Sequence, residues 1–495
     1  MIKVLALKEL LDQLSSPKFV FLFAVSTILV VFSLYTGSGS YVGARSEFQA
    51  TQRLSRSELA NRRSYDEVSQ YGVKVARQPS ALSGFAGGVS SALGRSARVR
   101  PEVQPELSPA PLADTPVLAV LGELDFNVVA RVFLSLFVLL LTYSAVAGEK
   151  EGGTLKAVLA NPVPRTRFLL GKTLGLFGTL KAAVVVPSVL GLLVMKVGFG
   201  VSLTGGEWVR LAAIFVTTML YLLAIFAIGL LVSTTTSRSA VAFLVLLLVW
   251  VAFVEVIPKA SPMLAGQLRP APSFASLQSE RDRIQAEYQQ GLFSGMSHTF
   301  AHIQEQINTP EEADARQRSI DSTMNRVRDS LGQTRDAKLL RLDEGYRNQQ
   351  DAMTRLSLIF ARFSPAAAMS HAVEVFAGTD FELTRRWRND LIAYRGQLEQ
   401  YLKSKGVQFG GFRIAIRSTS TVGGGGRGSS NTIRIGGPTS EDARLDLADL
   451  PAFASRPESF VSAAGRAAPD LVILGFWAAG ALLLAFAKFL KYDVR

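Results

Sequence analysis

His298 and His302 lie four residues apart on a helix-patterned stretch, with Glu305 one step further along the same face. That is the spacing at which successive helical turns offer imidazole and carboxylate ligands to a divalent metal. No fourth ligand completes the set, and no water-activating residue stands beside it. A solvated polar face is the better account, and no metal is expected. Gly171-Lys172-Thr173 has the ending of a phosphate-binding loop. Such a loop needs a glycine five residues earlier, so that backbone amides can ring the phosphates. Thr166 stands there, and the stretch runs into an apolar segment. Cysteine is absent, which removes disulfides and thiolate chemistry. No nucleophile elbow, zinc-protease helix or paired-carboxylate site is persuasive. The expectation is therefore a chain with no catalytic residue and no cofactor of its own.

The most patterned segment runs from Gly148 to Lys172. It is charged and amphipathic, and it is pinned between two membrane-length apolar runs. Glu149 and Glu151 stand near the start of a short helix, where carboxylates complement the helix dipole. Gly152 and Gly153 permit a sharp turn out of a membrane, and Thr154 follows them. Leu155, Val158 and Leu159 make an apolar face suited to a partner surface. Pro162 and Pro164 end the helix. Arg165, Arg167 and Lys172 then hold the next span at headgroup level. The spacing predicts a lever on which a soluble protein pushes, over about 148–166.

The elements around this lever follow from hydropathy. The chain has 495 residues and is 48% hydrophobic, with mean hydropathy +0.25. That balance fits membrane spans joined to sizeable water-exposed parts. Six stretches reach the roughly 20 apolar residues that a membrane helix needs: about Phe19–Thr36, Phe126–Ala147, Phe168–Val197, Val209–Val232, Ala240–Ile257 and Leu471–Leu490. Glu9 and Asp12 precede the first run, so it reads as a retained helix rather than a signal peptide. Lys3, Lys8 and Lys18, then Lys150 to Lys172, Arg238, and finally Lys488, Lys491 and Arg495 fall on one side with six spans. Basic short loops mark the cytoplasm. Both long polar regions then fall outside.

The expected fold is a mainly α membrane protein. It has six transmembrane helices and two extracytoplasmic insertions, the larger a helical hairpin plus a small β element. The divisions are 1–37 for an interfacial helix and first span, 38–125 for the first insertion and 126–257 for spans two to five. Residues 258–468 form the second insertion, and 469–495 the sixth span with a cytoplasmic end. The first insertion reads as helical to about Tyr71, with an extended Pro-rich stretch from Pro101 to Pro116. In the second, Thr309-Pro310-Glu311-Glu312 starts a helix. Ile320, Met324, Val327 and Leu331 form its one-sided apolar stripe, and Phe300, Ile303 and Ile307 form another before Asn308. A further helix begins after Gly378-Thr379 and stops at Gly406. Phe412–Ile416 and Thr432–Ile435 read as short strands around a Gly-rich tip at 423–430.

Charges within the apolar runs narrow the functional candidates. Lys181 lies inside the third run and Glu255 near the outer end of the fifth. At a bilayer centre each costs roughly 2.5–3.5 kcal/mol on insertion scales. Glu255 reaches the interface as an anchor, while Lys181 either snorkels or lines a cavity between subunits. Pro187 kinks the third helix and leaves a carbonyl free. Gly475, Ala479 and Gly480 give the last span a small face. The net charge of +13 suits membrane-flanking basic residues, and no nucleic-acid motif accompanies it.

Glu149-Lys-Glu-Gly-Gly-Thr-Leu-Lys156, Asn161-Pro-Val-Pro-Arg165 and Leu170-Gly-Lys172 together resemble the signature of type-2 ABC exporter permeases. Gln78-Pro-Ser-Ala-Leu-Ser-Gly-Phe-Ala-Gly-Gly88, Phe363-Ser-Pro-Ala366, Phe376-Ala-Gly-Thr379 and Lys491-Tyr-Asp-Val-Arg495 resemble motifs of the subgroup with large extracytoplasmic insertions. Lys150 stands where that signature commonly has arginine, and the Gly-rich insert near 423 is longer than the pattern. The resemblance implies a coupling helix docked in a groove of a cytoplasmic ABC ATPase subunit, which binds the ATP and Mg. It implies a second permease copy or paralogue, a lipid bilayer, and an inner-membrane location with both termini cytoplasmic. Export is the implied activity. The alternative is a mechanotransmitting subunit that drives an extracytoplasmic partner without transport.

Overall fold

The computed structural model describes residues 2–101, 103–109, 124–159, 164–270, 272–301, 310–407, 413–421, 428–436, 447–455 and 457–491. Helix α1 (Ile2–Leu14) is followed by a break at Ser15-Ser16 and then α2 (Pro17–Ala60). Ser16 caps α2 by accepting from the Phe19 amide at 3.1 Å, with Pro17 in the first turn, the pairing that starts helices. The apolar run of this span ends near Thr36. The helix itself continues to Ala60, in keeping with the helical character expected to about Tyr71, because nothing between breaks it and its distal part finds packing partners.

Next come α3 (Tyr65–Tyr71) and three short strands, β1 (Val73–Ala76), β2 (Ser96–Val99) and β3 (Glu106–Leu107). They form an antiparallel sheet in sequence order, with Val73 opposite Val99 and Arg98 opposite Glu106. This sheet was not foreseen from sequence, because each strand is only two to four residues long and shows almost no alternation. The second long helix is α4 (Phe126–Glu151), followed by the short α5 (Thr154–Leu159). Then come α6 (Arg165–Phe199), α7 (Gly205–Thr235) and α8 (Ser239–Leu268). The chain continues through α9 (Phe274–Ala301), α10 (Pro310–Ala361), α11 (Pro365–Ala377) and α12 (Phe381–Ser404). Strands β4 (Arg413–Thr421) and β5 (Gly428–Gly436) pair antiparallel, Ile416 opposite Ile433. Helix α13 (Phe460–Leu490) closes the fold. Among the described residues, helices α2, α4, α6, α7, α8 and α13 are the six long and apolar enough to cross a membrane, the number that hydropathy predicts.

The core sits among these six. Its centre includes Leu134, Leu180, Tyr221, Phe226 and Leu474, all at most 1% exposed. Helix α11 packs against α7 and α13 at one end of the bundle. There Phe85, Phe126 and Phe215 make mutual edge-to-face contacts at 5.6–6.2 Å, a favoured aromatic geometry.

A second core ties the two insertions together. Trp387, Leu391, Tyr394, Leu398 and Leu402 form a helical stripe on α12, buried against Val68, Val75, Ala97 and Val99. The sheet of the first insertion is therefore completed by a helix of the second. The predicted hairpin is present: Val327 and Leu331 on α10 face Gly295 and Gly291 on α9, and Ile320 is 6% exposed. Lys338 meets Glu287 at 2.7 Å and Arg281 meets Asp343 at 2.7 Å across it. Helix α8 runs past Ile257 to join this stalk, with Gly266 against Met353 of α10. Asn308 and the 423–427 part of the Gly-rich tip lie outside the described residues, as do Phe412 and positions 492–495.

Candidate functional site

The segment after α4 is built by one glycine. Gly153 has φ +71°, a left-handed conformation that a side chain would oppose. It turns the chain between Glu151 and Thr154, and its carbonyl accepts from the Lys156 amide at 3.2 Å. The following α5 therefore leaves α4 at an angle instead of prolonging it.

Charged groups then brace this corner from several sides. Lys172 on α6 is 7% exposed. Its Nζ lies 2.6 Å from Glu149 Oε1 and 3.3 Å from Glu9 Oε1 on α1. Glu9 reaches that point because α1 lies tightly on α6. A Cβ at Gly175 would sit 2.6 Å from the Glu9 Cβ, and one at Gly171 2.7 Å from the Leu5 Cβ. Small residues allow the two backbones this approach. Lys150 Nζ donates to the carbonyls of Thr234 and Thr236, the latter at 3.1 Å, at the end of α7. Ser233 Oγ accepts from the Val146 and Ala147 amides at 2.9 and 3.0 Å and donates to Tyr143 O. Glu151 Oε2 accepts from the Ser239 amide at 2.9 Å, so it caps α8. The dipole that Glu151 complements is thus that of another span rather than its own.

The sequence-predicted residues divide accordingly. Glu149, Glu151 and Gly153 meet at the corner, and Thr154 is exposed, donating to Glu149 O at 3.3 Å. Leu155 is 1% exposed and belongs to the main core. Its side chain supports the corner from within instead of offering a partner an apolar face, because α5 folds back onto the bundle. Val158 and Leu159 lie on α5, and Pro162 is outside the described residues. Arg165 starts α6 and donates to Leu490 O at 2.9 Å, near the stacked Phe168 and Phe489.

The intramembrane candidates do not join this site. Lys181 is exposed, its Nζ 5.1 Å from the Phe177 ring centroid. Pro187 is buried within α6. Glu255 accepts from Lys259 at 2.6 Å on the exposed side of α8. His302 and Glu305 lie outside the described residues.

Sequence reasoning missed a second polar cluster, at the opposite end of the bundle. Asp470 on α13 is fully buried. It accepts from Arg362 Nε at 2.8 Å and pairs with His371 Nδ1 at 2.7 Å. Beside it, Arg466 pairs with Asp380 and with Glu458, the latter at 2.6 Å. Burial on α11 pushes the Glu374 carboxyl up to about 7; Asp125 and Asp380 add to this, and His371 and Arg131 oppose it. The available signal was Asp470 standing directly before an apolar run, with Arg362 in the Phe363-Ser-Pro-Ala motif's approach.

A family model described as "ABC-2 family transporter protein" matches residues 3–494. No curated protein is a significant match.

Proposed function

The chain belongs to the ABC-2 family of transporter proteins, and from that premise we propose that it is the permease subunit of an ATP-binding cassette exporter in the cytoplasmic membrane. It is a multi-pass membrane component that works with an ATPase subunit and is not itself catalytic. In this reading a separate cytoplasmic ATPase holds the ATP and Mg. The corner at 148–165 is its point of attack, and both termini share that side. A second permease copy or paralogue completes the assembly. The hairpin and the small sheet stand outside the cell membrane.

The observation that supports the reading is the bracing of the corner. Glu149, Lys150, Glu151 and Arg165 connect it to α6, α7, α8 and α13, and Lys172, the partner of Glu149, reaches Glu9 on α1. A push on Thr154 or Lys156, both exposed, reaches five helices through charge-assisted hydrogen bonds, which are the strong ones. Rigid-body rocking of the bundle follows from such a lever.

One arrangement favours a mechanical role that moves an outside partner and carries no cargo. Arg362 ends the long hairpin helix and clamps Asp470 in the sixth span. Motion of α13 would then be delivered to the hairpin.

The natural chain has no cysteine, so single-cysteine labelling tests the sidedness directly. A Lys156→Cys variant should resist a membrane-impermeant maleimide in intact cells, while Phe293→Cys on the hairpin should react. Lys156→Glu should abolish co-purification with the co-expressed ATPase while the chain still inserts. Labelling at 156 from outside, or undiminished ATPase association, would overturn the assignment.

A further inference from the structure

The loop Gln78–Gly88 lies on the middle of α2, where Gly84 meets Gly37, and it leaves a cavity of about 40 Å³ lined by Arg77. Serine residues dominate its wall: Ser80, Ser83, Ser90 and Ser91 from the loop region, and Ser40 from α2. Arg77 is 9% exposed, and its Nε has no hydrogen-bond partner among the described residues. Among the described residues its one side-chain bond is a long one, Nη2 to Ser90 O at 3.5 Å. Burial, with the neighbouring cations Arg95 and Arg386, lowers its pKa to about 10. The described carboxylates around it are engaged elsewhere: Glu47 by Arg95 at 2.9 Å, Asp125 by the amide of Gly87 in the cavity wall at 2.8 Å, and Asp380, next to Thr379 of the wall, by Arg466.

A buried guanidinium without a counter-ion is costly, and such groups are normally paired. Here the uncompensated charge faces a polar cavity. One water needs roughly 10–15 Å³, so 40 Å³ admits one tetrahedral group of about five heavy atoms. Arginine's planar fork matches the oxygens of phosphate. The wall hydroxyls now donate to backbone carbonyls, Ser80 to Ala377, Ser83 to Ser80 and Ser90 to Gly87, and hydroxyl rotors turn freely to a better acceptor. Ser40 lies four residues past Thr36, where the first apolar run ends. The mouth is therefore at headgroup level.

We propose that the Arg77 cavity is a binding site for a phosphate-class oxyanion, carried by a lipid headgroup at that membrane face or present as free phosphate. It is independent of how the ATPase couples at the other end of the bundle. The occupant neutralises Arg77 and fastens the 78–88 loop over α2.

The full-length protein, purified in detergent and stripped of lipid, is titrated with inorganic phosphate, with short-chain phosphatidylglycerol, and with short-chain diacylglycerol as the phosphate-free control. Binding is read by calorimetry and by thermal shift. At least one phosphate-bearing probe should bind and raise the melting temperature, and diacylglycerol should not. Arg77→Gln should weaken that binding at least tenfold, and Arg77→Lys should retain more of it than Arg77→Gln. Ser83→Val, which fills the cavity without touching the charge, should weaken it likewise, and serves if Arg77→Gln does not fold. Phosphatidylglycerol binding more than tenfold tighter than phosphate identifies a headgroup as the source; the reverse order identifies the free anion. Absence of binding by both phosphate probes, or undiminished binding in a folded variant, would refute the site.

Discussion

Glu149 and Lys172 meet at 2.6 Å across 23 residues of sequence, so the last turn of one span is pinned to the first turns of the next. Lys172 also meets Glu9 at 3.3 Å, which places the N-terminal helix in the same joint. Lys172 has an 8% exposed side chain, so removing its partner leaves a cation in poor solvent. Glu149→Gln should destabilise the protein by on the order of 2 kcal/mol. Lys172→Met should cost a similar amount. The double variant should lose clearly less than the sum, as contacting residues do. Thermal unfolding of the four proteins in detergent measures this, and additive losses would contradict the pairing.

Gly229 on α7 faces Thr142 on α4 so closely that a Cβ there would lie 2.8 Å from the Thr142 Cβ. Gly229→Ala should therefore cost about 1–3 kcal/mol through overpacking, and adding Thr142→Ala should recover most of it. Gly480 on α13 has nothing within 4 Å of its Cβ position. Gly480→Ala should leave the stability of the isolated chain unchanged. Equal effects at the two glycines would show that the α4–α7 contact is looser than described.

Glu374 should make stability pH-dependent. Its carboxyl pKa rises from 4.5 to about 7, so the folded protein holds the proton more tightly than the unfolded chain. This group's contribution is fully present below pH 4.5 and is lost as pH rises through about 7. Glu374→Gln keeps the neutral form throughout. The wild type should lose on the order of 2 kcal/mol relative to Glu374→Gln between pH 5 and pH 8. Parallel melting-temperature profiles for the two proteins would count against it.

Asp470 joins the hairpin to the sixth span. Asp470→Asn keeps the shape and removes the charge that Arg362 and His371 share. The expected loss is about 3 kcal/mol, the low end for breaking a buried pair, because Arg362 remains 26% exposed. Proteolysis should then attack α10 sooner than the spans, since the clamp sits at its end. Simultaneous cleavage of both would place the clamp elsewhere in the unfolding order.

The number and order of the six spans were legible in the sequence because they depend on local apolar length alone. The 148–172 segment was equally legible: two glycines, two carboxylates and paired prolines between apolar runs describe a turn and a short helix without any distant contact. The hairpin was readable for the same reason, since Val327 and Leu331 repeat at helical spacing. What those side chains touch was not legible. Leu155 looks like a partner-facing residue by periodicity, and only the backward turn at Gly153 shows that it is buried. Glu151 looks like a cap for its own helix, and only the bundle brings it to Ser239. Asp470, Arg362 and His371 are spread over more than a hundred residues, and the sheet that α12 completes joins two insertions separated by four spans. Periodicity records which face of a helix is apolar, whereas burial of a charge depends on which helices close around it. That closure is a property of the assembled bundle, so tertiary structure alone decided it.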